Sequence, residues 1–240
     1  MSEKKIIRLS QTPPEFGDTP DELAPEMFVS TLPIQHSHSY FEDDEQGLYI
    51  GVWDTDDMVE AANPYPCDEF MVIIEGSVEI KNVQSGLSET VHAGESFVIP
   101  KGYNCQWRQQ GYLRKFYVIS EHPNEMIPQQ PSLSAIAKIN SKTQQGKNFC
   151  YQDNNQRFTA GLKENFISEV PLTLNSNNTF IYLKKGSVTI TESAGKEHTF
   201  RSGEAFFIPA NLACSWSFTE NTLQHYVEIT PVKVDQNERH

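Results

Sequence analysis

The sequence predicts an all-β protein built from two similar barrels, because one pattern of strand residues occurs twice. Residues 70–80 and 180–190 both begin with Phe, continue as an apolar run into Gly-Ser-Val and end in Ile. Each segment is followed by Gly-Glu-x-Phe-x-Ile-Pro, at residues 94–100 and 203–209. A repeat of this kind indicates a duplicated structural unit. Short apolar runs separated by Gly and Pro are typical of a sandwich or barrel.

Changes in this pattern divide the chain into five parts. Residues 1–44 are rich in Pro, Asp, Glu and Ser, and we expect an arm that lies over a barrel, since its prolines interrupt any helix. Residues 45–120 form the first barrel, and residues 121–157 form a polar connector with one short helix near residues 132–139. The second barrel covers residues 158–230, and residues 231–240 are a charged tail. The strands predicted in the first barrel are Leu48–Trp53, Glu69–Glu75, Ser77–Asn82, Ser96–Ile99 and Arg114–Ile119.

The composition disfavours several classes of function. The formal net charge of -13 repels phosphate, so we expect no nucleic acid as a partner. No apolar run approaches the ~20 residues that span a membrane, and the first ten residues lack the features of a signal peptide, so we expect a cytoplasmic protein without a membrane partner. The four cysteines show no Cys-x-x-Cys spacing and are interpreted as reduced thiols.

Two motifs carry a resemblance to a known family. In the first, Glu69 is followed after six residues by Gly76; in the second, Gly94, Pro100 and Gly102 match, and Cys105 stands where the family has a histidine. Further matches are two tryptophans and a strand, namely Trp53, Trp107 and residues 114–117. The sequence resembles the cupin superfamily, and within it the (S)-ureidoglycine aminohydrolase and ethanolamine-utilisation cupins. This resemblance implies two tandem double-stranded β-helix barrels, each a jelly roll.

The sequence departs from the family pattern at the metal ligands. The resemblance implies two histidines four to seven residues before Glu69, but residues 62–65 read Ala-Asn-Pro-Tyr. In the second half Thr179 replaces the glutamate and Cys214 repeats the cysteine. A first-row metal needs three or four N, O or S ligands around one point. We therefore predict no metal and no cofactor in either barrel, and we interpret the second barrel as degenerate and structural.

The pattern His36-x-His38-x-x-x-Glu42 superficially matches the metal motif as well. The glutamate is followed by a polar stretch instead of an apolar strand, and no glycine lies seven residues further on. We interpret these histidines as part of a solvated arm.

Candidate site residues follow from strand alternation, which places Glu69 on one face and its neighbour Phe70 on the other. Glu69 is a candidate general acid or base, because burial among aromatic side chains disfavours a carboxylate; alternatively it pairs with Lys115 or Arg114 and only closes a polar gap. Cys105 is a candidate nucleophile, although a small buried apolar role suits it better. The predicted ligand-binding residues are Trp53, Glu69, Cys105, Trp107, Lys115 and Tyr117.

Three functions remain open from the sequence. The leading hypothesis is a metal-free protein that binds a small polar metabolite with an amine, ureido or carboxylate group. The second is an enzyme of nitrogen, amine or ureide metabolism, similar to an aminohydrolase or isomerase, with Glu69 as acid or base. The third is a structural or interaction protein. By analogy with the family we expect a homodimer.

Overall fold

A computed structural model describes residues 4–121, 135–140 and 149–232, and it confirms the all-β prediction. One 3-10 helix, Pro25–Met27, lies among the strands, and no helix in the described ranges is long and apolar enough to cross a membrane. The strands up to the connector are β1 (Ile7–Leu9), β2 (Gln35–Asp43), β3 (Leu48–Thr55), β4 (Met58–Val59), β5 (Asn63–Pro64), β6 (Asp68–Glu75), β7 (Ser77–Asn82), β8 (Ser88–His92), β9 (Ser96–Ile99), β10 (Asn104–Gln109) and β11 (Leu113–Ser120). The remaining strands are β12 (Ala137–Lys138), β13 (Tyr151–Gln152), β14 (Phe158–Asn165), β15 (Ser168–Leu174), β16 (Asn178–Lys185), β17 (Ser187–Glu192), β18 (Glu197–Arg201), β19 (Ala205–Ile208), β20 (Ala213–Phe218) and β21 (Thr222–Ile229).

Each half of the chain folds into a pair of antiparallel sheets. Within the described residues, the larger sheet of the first barrel has the order β12-β9-β6-β11-β3-β2, and the smaller has the order β4-β10-β7-β8 with β5 also paired to β10. The second barrel repeats this arrangement, with β1-β19-β16-β21-β14-β13 facing β15-β20-β17-β18. The duplication in the sequence therefore corresponds to a duplication of topology.

The two barrels pack against each other through their larger sheets. On β6, Met71 and Ile73 point into the first barrel, whereas Phe70 and Val72 point into a core shared with the second barrel. The ring of Phe70 lies 5.7 Å from that of Phe180, measured between centroids. Strand residues on the larger sheets are thus buried on both faces, which explains why residues 70–74 read as a continuous apolar run.

The amino-terminal segment belongs to both barrels, and this revises the expectation of an arm over one barrel. Strand β1 pairs with β19 of the second barrel, and β2 pairs with β3 of the first along nearly its whole length. His36 is consequently no part of a solvated arm: its Nδ1 lies 2.8 Å from the Asp54 carboxylate, and its side chain is 17% exposed. Edge strands carry unpaired backbone groups, and these segments cover them.

The connector also differs from the expectation. Part of the helix expected near residues 132–139 lies outside the described residues, and the part that is described contains the strand β12, which pairs with β9. The backbone groups at the edge of β9 determine the structure here, because pairing with them outweighs a weak local helix preference. The predicted tail lies outside the described residues, apart from its first two positions.

Candidate functional site

The interior of the first barrel contains a buried ion pair. Lys115 Nζ lies 2.8 Å from Glu69 Oε1, and the two side chains are only 9% and 6% exposed. Glu69 lies on β6 and Lys115 on the neighbouring strand β11, where Lys115 is opposite Ile73. The lysine side chain therefore lies along the inner face of the sheet. Its Nζ is 3.2 Å from the sulfur of Met71 and within hydrogen-bonding distance of the Glu69 carboxylate.

Two tryptophans surround the ammonium group of Lys115. Its Nζ lies 4.7 Å from the ring centroid of Trp53 and 4.8 Å from that of Trp107, and the two indoles meet edge to face. Ring faces attract cations, and this attraction is strongest where water is excluded. The charge of the buried lysine is thus balanced by one carboxylate and two aromatic faces.

Tyr65 completes the ion pair from the opposite side. Its hydroxyl donates a hydrogen bond to Glu69 Oε2, so that both oxygens of this carboxylate have a partner. Burial, followed by the charge of Glu69, raises the pKa of Tyr65 well above its usual value, so the phenol stays protonated and able to donate. The sequence analysis missed Tyr65, although it stands four residues before Glu69, within the stretch where the family resemblance implies histidines.

Glu60 is the second residue that the sequence analysis missed. It follows β4, and its main chain is held by Trp107 and Gln106 of β10. Burial raises the pKa of Glu60 to about 7; the nearby Lys115 opposes this shift and Glu69 adds to it. Among the residues described, none forms a hydrogen bond with its carboxyl group. The sequence offered one signal for Glu60, since it is the only acidic residue in the otherwise apolar segment 58–62, which reads Met-Val-Glu-Ala-Ala.

The two remaining predicted site residues also face this interior. Cys105 is buried, and burial, together with the charge of Glu60, raises the pKa of its thiol to about 12. It is therefore a neutral thiol at physiological pH, which does not favour a nucleophilic role. Tyr117 lies with its hydroxyl against Gly51, where a side chain would clash, and burial and Glu69 raise its pKa to about 12. The structure thus brings all six predicted residues to one interior.

The donor set in this interior does not fit a metal ion. Across residues 4–121, 135–140 and 149–232, no three His, Cys, Asp or Glu side chains converge on a point that would hold one. The carboxylate of Glu69, which the family resemblance would make a ligand, is engaged by Lys115 and Tyr65. The expectation of a barrel without a metal or other cofactor stays a prediction.

The second barrel differs from the first at the same strand positions. Gln224 takes the place of Lys115, since it is opposite Lys163 and Leu183 as Lys115 is opposite Trp53 and Ile73. At the position of Glu69 stands Thr179, which accepts a hydrogen bond of 3.3 Å from Asn175. A cavity of about 220 Å³ opens between these side chains. The second barrel, interpreted from the sequence as degenerate, therefore has a polar interior with space in it.

Comparisons with known proteins agree with this architecture. The model of the EutQ-like cupin domain matches residues 45–117 and again residues 154–226. No curated protein matches the sequence.

Solved structures of similar fold are numerous, and the three described here each match most of the chain. A DUF861 family protein of unknown function from Pseudomonas syringae pv. tomato str. DC3000 has a TM-score of 0.71 at 19% identity, with 94% of this chain and 100% of that chain covered. A cupin 2 conserved barrel domain protein from Leptotrichia buccalis has a TM-score of 0.61 at 14% identity, with 85% and 100% covered. The DUF861 protein Ylba from E. coli has a TM-score of 0.57 at 10% identity, with 91% and 90% covered. At these identities the likeness shows the fold.

Proposed function

This chain belongs to the EutQ-like cupin family, with two copies of its domain, and on that premise we propose that its first barrel binds a small polar metabolite without a metal ion. The observation that carries the proposal is the buried pair of Glu69 and Lys115, with Tyr65 on the carboxylate, two tryptophans at the ammonium group, and Glu60 near enough for both charges to affect its pKa. Burying charged side chains costs free energy on folding, and strongly shifted pKa values concentrate at functional sites. Glu60 supplies the group that is available to a ligand, because the residue is half-buried and its carboxyl has no hydrogen-bond partner among the described residues.

The charges of the cluster favour a ligand that carries an amine or a similar basic nitrogen. Glu69 and Lys115 neutralise each other, so the ionised form of Glu60 leaves one negative charge in excess. An ammonium group beside Glu60 would balance it and would lower the pKa of this carboxyl from its raised value of about 7. Trp53 is partly exposed and offers an aromatic surface to such a ligand.

The test begins with a thermal-shift screen of small amines, amino acids and ureides. A ligand at 100 times its dissociation constant adds about 2.7 kcal/mol to the free energy of unfolding, which such a screen detects. Calorimetric titration of the best amine at pH 6 and pH 8 then tests the role of Glu60. We expect the affinity to rise about tenfold between these values, because a group of pKa near 7 ionises over this range.

Substitutions in the buried cluster, compared with one at an exposed ion pair, test whether the ligand binds at the proposed site. Glu60→Gln should abolish the pH dependence, and Glu69→Gln or Lys115→Ala should abolish binding. Glu79→Gln, the same exchange at an exposed ion pair with Arg108, should change neither. A panel without any stabilising compound, or an affinity that Glu60→Gln and Glu69→Gln leave unchanged, would refute the proposed site.

The raised pKa of Glu60 favours one alternative, an enzyme of amine or ureide metabolism. A carboxyl group with a pKa near 7 exchanges protons readily at neutral pH, as a general acid or base must. In this alternative Glu60 carries the proton and Glu69, whose oxygens are both engaged, orients the substrate. Turnover of a compound from the screen, with a pH–rate inflection near 7 that Glu60→Gln removes, would establish it. A cytoplasmic location and a homodimer stay predictions, to be checked by cell fractionation and by light scattering.

A further inference from the structure

We propose that the second barrel contains a binding site of its own, for a small molecule with a carboxylate or amide oxygen and a flat apolar body. This inference is independent of the function proposed for the first barrel, because it concerns different residues in a different interior. It depends on the 220 Å³ cavity and on an unpartnered amide in its wall.

The unpartnered amide belongs to Gln224. This residue is 2% exposed and lines the cavity, yet its side-chain nitrogen Nε2 has no hydrogen-bond partner in the described structure. A buried donor without a partner costs about 1–3 kcal/mol, so such groups are rare unless something else satisfies them. The neighbouring polar groups do not compete for it, since Asn175 and Thr179 bond to each other and to main-chain carbonyls. A ligand oxygen in the cavity would accept a hydrogen bond from the Nε2 amide of Gln224.

The walls of the cavity specify the rest of the ligand. Trp216 and Phe218 project from β20 as a stacked pair, with ring centroids 6.0 Å apart and ring planes inclined by 15°, and both line the cavity. Ile181 and Cys214 are also apolar and buried. A cavity of about 150 Å³ holds a benzene-sized molecule, so 220 Å³ accommodates a ring with one polar substituent.

Strand β15 contributes the exposed part of the cavity wall. This strand is at the edge of the smaller sheet, all seven of its residues are exposed, and Val170, Thr173 and Leu174 line the cavity. Its pairing with β20 is interrupted between Val170 and Thr173, where the register shifts. Lys163 is exposed at the rim and would attract the carboxylate form of a ligand. Glu228 also lines the cavity and is exposed, so its carboxylate offsets part of the positive charge of Lys163.

Benzoate and benzamide are suitable probes, with toluene as a matched compound that lacks the acceptor oxygen. Binding to the ¹⁵N-labelled full-length chain is followed by NMR, and the side-chain NH₂ signals of Gln224 are assigned from their absence in Gln224→Leu. We expect both acceptor probes to shift these signals and toluene to shift them little. Gln224→Leu should weaken binding of the acceptor probes at least tenfold and should raise Tm by about 2–4 °C, because it removes an unsatisfied buried donor.

Two further variants make the outcome decisive. Ile181→Phe fills the cavity and should abolish binding while Gln224 stays in place, and Gln152→Leu, the same exchange as at Gln224 but on β13 outside the cavity, should leave binding unchanged. The inference is overturned if benzoate and benzamide leave the Gln224 signals unmoved, or if Gln224→Leu binds them as the wild type does. Neither result bears on the first barrel, whose site is tested by Glu60→Gln and Glu69→Gln.

Discussion

Lys115 and Gln224 occupy the same place in the two barrels, and the difference between them determines what each interior can hold. The side chain of Lys115 extends between Trp53 and Trp107 to a carboxylate, so the first interior contains a charged cluster. Gln224 is shorter and uncharged, its Nε2 has no hydrogen-bond partner among the described residues, and a cavity opens beside it. One exchange of side-chain length and charge thus separates an interior with a buried ion pair from one with a neutral amide beside a cavity.

The buried ion pair gives a prediction about stability. Lys115→Met should lower the free energy of unfolding by about 3–5 kcal/mol, because it leaves the Glu69 carboxylate buried without its countercharge. The measurement is urea unfolding followed by tryptophan fluorescence and circular dichroism. Replacing both partners, with Glu69→Leu in addition to Lys115→Met, should recover much of the loss, since no unpaired charge then remains.

A surface pair supplies the control for this prediction. Arg108 and Glu79 lie 2.9 Å apart, but their side chains are 46% and 37% exposed. Arg108→Met should therefore cost no more than about 1 kcal/mol. Equal losses for Lys115→Met and Arg108→Met would mean that the buried pair is solvated in the folded protein, and this would also weaken the case for the proposed site.

At the scale of elements, strand alternation was the part of the site that the sequence could predict. Alternation with a period of two predicted that Glu69 and Phe70 lie on opposite faces of the strand, and in the structure Phe70 lies in the core shared by the barrels while Glu69 pairs with Lys115 in the first interior. Glu60 and Tyr65 escaped prediction because they lie on short, irregular segments without a period. The cavity of the second barrel escaped it because empty volume depends on how several side chains pack together, which no single motif encodes.

The edge strands β1 and β12 show a second kind of feature that could not be predicted from the sequence. β1 pairs with a strand almost 200 residues away, and local pattern contains no information about such a partner. What the sequence does contain is the apolar character of Ile6 and Leu9, each 4% exposed in the structure. The amino-terminal residues, which are rich in proline and acidic side chains, thus include a short segment that pairs with the edge of the larger sheet in the second barrel.

The contribution of this segment can be measured at Ile6. Its side chain packs inside the second barrel and its main-chain N–H donates to Glu192 at 2.9 Å. Ile6→Ala should destabilise the protein by about 2–5 kcal/mol, the usual cost of removing a large aliphatic side chain from a core. The measurement is urea unfolding, with hydrogen exchange on β19 to locate the effect.

Ile34→Ala is the matched control, because Ile34 belongs to the same amino-terminal segment but is 55% exposed. It should change stability by less than about 0.5 kcal/mol. If Ile6→Ala proved equally mild, or if β19 kept its protection, the amino-terminal segment would not be part of the second barrel in solution.

At the scale of the whole molecule, the two barrels form one cooperative body because their larger sheets share a core. Phe70 and Phe180 meet there, and Phe41 lies 4.7 Å from Phe207 between ring centroids. Polar contacts also cross this boundary: Lys184 donates to the carbonyl of Gly94. Separation of the barrels would expose an apolar face on each, so neither half is expected to be stable without the other.

His225 makes this boundary sensitive to acid. It is buried on β21 and hydrogen-bonded at 2.7 Å to Ser96 of the first barrel. Burial, with a smaller contribution from Lys184, lowers the pKa of His225 to about 4, so the folded protein holds a neutral imidazole that the unfolded chain would protonate below about pH 6.5. The stability associated with the neutral form is therefore complete above pH 6.5 and is lost progressively as the pH falls towards 4. A pKa lowered from 6.5 to about 4 corresponds to a loss on the order of 3 kcal/mol.

The prediction is tested by comparing urea unfolding of the wild type and His225→Gln between pH 4 and pH 7. The variant should lose less stability on acidification, and the difference between the two curves isolates His225 from other groups such as Glu60, whose raised pKa acts in the opposite direction. His92→Gln, at an exposed histidine on β8, should follow the wild type. Because His225 bridges both barrels, Trp53 and Trp107 in the first and Trp216 in the second should report the same acid-dependent midpoint. Parallel curves for the wild type and His225→Gln would show that this histidine is solvated, and separate midpoints would show that the barrels unfold independently.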